Sequence, residues 1–144
     1  MHVRDVLKYL WASPNTLIGL LFVPAAFGSE SGRQVKGGVL EIHGPALDWI
    51  LRHLIPIRGG AAAITFGHIV AARDLTMLDL TRSHERVHVR QSEVWGPAFV
   101  PAYLLAGAWS WMLGRGAYEG NYFERRAWEL SHAGHRPRSG TEWL

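Results

Sequence analysis

The stretch His84-Glu85-Arg86-Val87-His88 decides how the rest of the chain is read. On a helix, residues four apart lie on one face, a turn apart. Two imidazoles at that spacing can reach one metal ion, and Glu85, one residue round, can reach a water beside it. A metal lowers that water's pKa and the carboxylate takes its proton, so the pattern points to metal-assisted hydrolysis, most often of a peptide bond. In a chain with 8 histidines and 8 glutamates, a chance occurrence has odds of roughly 2 in 100. The alternative is a pair of core histidines satisfied by hydrogen bonds. That is easy to arrange for one ring and harder for two with a Glu between them.

The flanking residues predict a helix. Asp79, Thr81 and Ser83 offer N-caps, and Trp95-Gly96-Pro97 ends it. Counted from Leu80, the inward face reads Leu80, His84, Val87, His88, Gln91 and Trp95. The opposite face carries Arg82, Arg86, Arg90 and Glu93.

Just upstream, residues 62–72 read as one strand with Ile64, Phe66, His68 and Val70 on one side. A strand in that place can pair with an extended peptide through main-chain bonds, and Gly67 leaves room for a second backbone. His68 is the candidate to polarise the substrate carbonyl or steady the oxyanion, with Tyr118 and Tyr122 as others. The plainer reading of His68, which the residues favour, is a strand histidine facing a neighbouring element. Residues 39–43 form a second short strand, 47–54 a helix, and 28–38 a polar, glycine-rich loop. Helices are expected over 1–12 and 17–27, broken at Ser13-Pro14-Asn15-Thr16. Downstream come an apolar helix over 97–113, a last helix over 118–131 and a loose basic tail.

A catalytic zinc takes three protein ligands and a water. Cysteine is absent, so the third ligand is His, Asp or Glu, drawn from Asp79, Glu119, Glu124, Glu129, His132 and His135. Asp79 sits a turn before His84 and serves better as a cap. His132 and His135 lie near the tail. Glu124 fits best: it shares a helix face with Asn121 and Trp128, and Ala127 allows that helix to come close to another. Its bland alternative is a surface carboxylate paired with an arginine.

The chain of 144 residues suits one domain over 1–144: an apolar N-terminal helical segment 1–29, a core 37–131 and a basic tail 132–144. A net charge of +3 and a pI near 9.7 are a mild basic excess, read first as a solvated face and second as suiting anionic lipid head groups. No basic run is interleaved with stacking aromatics, so no nucleic-acid partner is expected. Two runs of 21 residues, Tyr9 to Ser29 and Val94 to Gly114, carry no charge, and tryptophans and tyrosines cluster near their ends. Their length and aromatic flanks imply membrane association, with a lipid bilayer as partner, although prolines interrupt both. Arg4, Lys8, the apolar 17–23 and Ala26-Phe27-Gly28 also fit a secretory signal peptide.

The pattern His-Glu-x-x-His on one helix and Glu on a later one resembles the gluzincin group of zinc metallopeptidases. The stretches 84–91, Trp95-Gly96-Pro97, Pro101-Ala102-Tyr103, Asn121-x-Phe123-Glu124-x-x-Ala127 and Ser13-Pro14-Asn15-Thr16-Leu17 are similar to small bacterial membrane proteins of that type. The resemblance implies Zn²⁺ on His84, His88 and Glu124, Glu85 as base, a peptide or protein substrate and the bacterial inner membrane as location. Several gluzincin families carry Asp four residues after the ligand Glu, where it orients the first histidine. Here that residue is Trp128, so the orienting contact falls to Asn121 or a backbone carbonyl. The expected class is α+β, predominantly helical: a zincin-like metal helix, a short two- to three-stranded sheet and apolar helices suited to membrane insertion. The rival reading is a non-catalytic membrane binding or scaffold protein, with a structural metal site closed by His68 or Asp79, or with a chance motif.

Overall fold

The computed structural model describes residues 2–132. Their order is α1 (Val3–Leu20), a 3-10 turn (Val23–Ala26), β1 (Gly32–Lys36), β2 (Val39–His43), α2 (Pro45–His53), β3 (Ala63–Phe66), β4 (Ile69–Ala72), α3 (Leu75–Trp95), a second 3-10 turn (Gly96–Ala98), α4 (Phe99–Met112) and α5 (Tyr122–His132). The class is α+β and mostly helical. Apart from His132, the expected basic tail lies outside the described residues, as does His135.

The sheet has four strands in the order β1-β2-β4-β3, one more than the two or three expected. The loop expected at 28–38 contains β1, which starts before the boundary drawn at 37 and pairs antiparallel with β2 across Gly37-Gly38. Both glycines have positive φ, 55° and 75°, the conformation of a two-residue type I′ hairpin turn. The single strand expected over 62–72 is a hairpin. Gly67, at φ 58°, begins its two-residue turn, as in a type II′ turn, and His68 completes it. β2 and β4 run parallel, joined through α2 and β3.

Period-two alternation gives the sheet two apolar faces. Ile42, Ile69 and Ala71 pack with Leu47 of α2 and with Ala26. Val39, Val70 and Ala72 pack under Leu78 and Val89 of α3. Glu41 lies on this second face, 1% exposed. Arg86 donates to its Oε1 at 2.7 Å and Arg82 to its Oε2 at 3.1 Å. Burial alone would raise the Glu41 carboxyl, but the two guanidiniums outweigh it and hold it below its ordinary value. Two arginines expected on a solvated face thus clamp α3 to β2.

α3 begins earlier than expected. Asp74 is its cap, accepting from Met77 N at 2.8 Å, so Asp79, Thr81 and Ser83 are interior, and Leu80 is exposed. α1 is continuous through Pro14 rather than broken there. Pro14 has no N–H for the Leu10 carbonyl, and the Ser13 hydroxyl donates to that oxygen instead at 2.7 Å. Asn15, buried, donates to Gly96 O at 2.7 Å, and Trp11 Nε1 to Val94 O at 3.3 Å, which pins α1 to the end of α3. The helix expected over 17–27 is the last turn of α1 followed by the first 3-10 turn. The helix expected over 97–113 is the second 3-10 turn and α4, and the last helix starts at Tyr122 rather than Tyr118. Neither uncharged run forms one long helix. Among the described residues, no helix is long and apolar enough to cross a membrane.

Candidate metal centre

α3 and α5 lie side by side, and Phe123 and Ala127 of α5 are buried. Ala127 admits the close approach, and Glu124 on the same helix then reaches both histidines. His84 Nε2 lies 3.1 Å from His88 Nε2 and 3.0 Å from Glu124 Oε2. His88 Nε2 lies 3.3 Å from Glu124 Oε1. Ligands about 2 Å from a tetrahedral ion stand about 3.3 Å apart, and each imidazole lies near that distance from the other ring and from one of the two carboxylate oxygens. All three side chains are buried, their donor atoms lie within 4.8 Å of one another, and the group can hold a metal ion.

The hydrogen bonds fix which nitrogen of His88 faces the centre. Gln91, fully buried, donates from Nε2 to Phe123 O at 3.2 Å. Its Oε1 is therefore the acceptor 2.8 Å from His88 Nδ1, which must carry the proton. A neutral His88 then aims an Nε2 lone pair at the carboxylate and the second imidazole. Such a convergence demands a cation, either a proton or a metal. Burial disfavours a charged His88 ring, but Glu124, then Glu85 and Gln91, outweigh it and push its pKa up to about 9 in the absence of metal. Burial also works against the Glu124 carboxylate, yet the two histidines and Tyr103 hold its pKa well below the usual range.

Around these three stand Glu85, Tyr103 and Tyr118. Glu85 is buried, and Thr65 of β3 donates to its Oε2 at 2.6 Å. Tyr103 of α4 donates to Glu124 Oε1 at 2.5 Å. Burial and the Glu124 charge push both phenols far up, so each keeps its proton and remains a donor. A cavity of about 730 Å³ brings His84, Glu85, His88, Glu124 and both tyrosines to one space. Its other walls are mainly apolar, including Ile64 and Phe66 of β3 and Val100 and Leu104 of α4.

The structure does not bring His68 to this cavity. The β3–β4 turn carries it toward α1, where its Nε2 lies 3.2 Å from Glu93 and its ring packs on Tyr9 at 4.2 Å. Asn121 does line the cavity, but it touches neither histidine: it donates to Tyr103 O at 3.0 Å and accepts from Phe123 N. The orienting contact on His88 is Gln91. For His84 it is a ring, Trp128, at 5.0 Å, and Nδ1 of His84 is buried without a partner. Asp79 pairs with Arg82 on the surface. Tyr122 is exposed and does not line the cavity.

Three contributors escaped the sequence reading. Gln91 was visible on the inward face of the metal helix, three residues after His88, and a metal-bound histidine usually donates its second N–H. Thr65 left no local signal, and Tyr103 stands in the quoted stretch Pro101-Ala102-Tyr103 with no spacing that marks it as part of the site. No family model, curated protein or solved structure matches the chain.

Proposed function

We propose that the chain is a zinc-dependent metallohydrolase of gluzincin-like design, acting on peptide bonds, with Zn²⁺ held by His84, His88 and Glu124. The observation that carries this reading is the meeting of those three donors, drawn from a span of 40 residues, beside Glu85 in one cavity. Bound there, zinc supplies a Lewis acid and an acidified water.

The chain's own residues supply the rest. Glu85, steadied by Thr65, takes a proton from the attacking water and returns it to the leaving amine. Tyr118, whose phenol stays protonated, can donate to the oxygen that gathers charge. β3 is an edge strand, and Ala63, Ile64, Thr65 and Phe66 all line the cavity wall. Its unpaired main-chain groups suit an extended peptide laid alongside the metal helix.

The test starts from chelated protein reloaded with zinc. One ion per chain is expected, with cleavage of peptides from an unstructured library. Glu85→Gln should keep the ion and lose cleavage by about 10²- to 10⁴-fold, the range of a general base. Wild-type protein that holds one zinc and cleaves nothing, or a Glu85→Gln variant as active as wild type, refutes the proposal.

A further inference from the structure

α1 has its apolar side turned outward. The residues it buries against the body, Ala12, Asn15 and Gly19, are small or polar. Val3, Leu7, Leu10, Leu17 and Leu21, spaced three, four or seven apart, form one stripe on the opposite side, with Trp11 at its margin. Leu10 is 64% exposed and Leu21 78%. α4 repeats the arrangement. Phe99, Gly107 and Ser110 are buried, while Leu104, Leu105, Trp109, Trp111 and Met112 are exposed, Trp111 at 69%. A helix apolar on nearly every side belongs in an apolar medium. No described residue covers these faces.

We infer that α1 and α4 seat the protein on an anionic lipid surface, lying in the interface without crossing the bilayer. α4 has 14 residues and is about 21 Å long, against a hydrocarbon core of about 30 Å. Tryptophan suits the interfacial layer, where an apolar ring and an N–H donor both find partners. Charge selects the occupant. Arg4 stands beside Trp11 at the margin of the α1 stripe, Arg115 follows α4, and the chain carries +3. An anionic surface complements that face, whereas a second copy sets cations against cations. Lys8 falls on the side of α1 turned to the body, 3.7 Å from Glu93, so Arg4 and Arg115 are the principal contacts.

The cavity rim carries exposed apolar side chains as well, one of them on α4: Leu80, Leu104 and Trp128 line the cavity and are each at least half exposed. The substrate class is accordingly an apolar chain segment presented at the lipid surface, a statement that rests on the hydrolase reading.

The experiment is flotation of full-length protein with vesicles of phosphatidylcholine, with and without phosphatidylglycerol. Metal-free and zinc-loaded samples are run in parallel, so the result is independent of hydrolysis. Flotation in both metal states is expected, with binding about 30-fold tighter to anionic vesicles from two basic contacts. Leu7→Ser with Leu10→Ser, and separately Trp109→Ser with Trp111→Ser, should each weaken binding at least about tenfold. Their circular dichroism and thermal midpoints should stay at wild-type values, because these side chains are exposed. Folded wild-type protein that stays in the aqueous layer overturns the inference, as do variants that float like wild type. A lipid-free dimer that both double variants dissolve would assign the face to a second copy and overturn it too.

Discussion

Replacing Gln91 by leucine tests the metal centre through a residue outside the three ligands. The side chain is fully buried and makes two bonds, accepting from His88 Nδ1 and donating to Phe123 O. Leucine fills a similar volume but leaves a buried N–H and a buried carbonyl without partners. At about 1–2 kcal/mol each, the metal-free protein should lose about 2–4 kcal/mol. For a chain of this size that lowers the thermal midpoint by roughly 6–12 °C. Loss of the His88 acceptor also frees the ring to turn and to exchange tautomers, so zinc affinity should fall about 10- to 100-fold. Gln91→Glu separates the two effects. It keeps an acceptor for His88 and sets a carboxylate against the Phe123 carbonyl, so affinity should hold better than stability. Competition titration with a zinc chelator and calorimetric melting give the two readouts. A Gln91→Leu protein that binds zinc as tightly as wild type refutes the assignment of the Nδ1 proton.

Further outcomes follow from other contacts. Metal must displace the proton that His88 holds with a pKa near 9, so zinc affinity should rise with pH up to about 9. Titration calorimetry at pH 7 in buffers of different ionisation enthalpy should therefore show close to one proton released from this ring. Glu41→Gln removes the partner of two arginines that are themselves partly exposed, and should cost about 2–3 kcal/mol in urea unfolding at pH 7. Glu41 has its folded pKa below the ordinary 4.5, so its contribution is complete above that pH and is lost as pH falls through the folded value. The variant should show a shallower acid limb of stability than wild type. Thr65→Val removes the hydroxyl that holds Glu85 and should lower kcat more than zinc affinity, which steady-state kinetics and chelator competition distinguish.

The legible part of the site was the part written within one helical turn. His84 and His88 are four apart, so their convergence needs only helical geometry. Glu124 is on another helix; it could be picked because Ala127 marks a close-packed face, but its distance from the histidines is tertiary. Thr65 and Tyr103 reach the site from a strand and from α4, and nothing in the residues around them records that approach. In the fold, the apolar runs concealed most. β4 is buried on both faces and does not alternate, so 62–72 reads as one strand although Gly67-His68 is a two-residue turn. Pro14 signals a break that the neighbouring Ser13 hydroxyl repairs. Periodicity shows that α1 has an apolar stripe, but it cannot say whether that stripe faces the body or away from it.

The two histidines and Glu124, the candidate metal donors, lie in a span of 40 residues that includes all of α4. An ion held at that point would act as a clasp on the loop it closes, and the clasp would open when the ion leaves. Amide hydrogen exchange should then divide the molecule. The strands would keep one protection level throughout, while α4 and α5 would form a separate opening unit whose protection climbs with zinc. A cell short of the metal would hold this chain with its sheet intact and its C-terminal helices exposed to proteases.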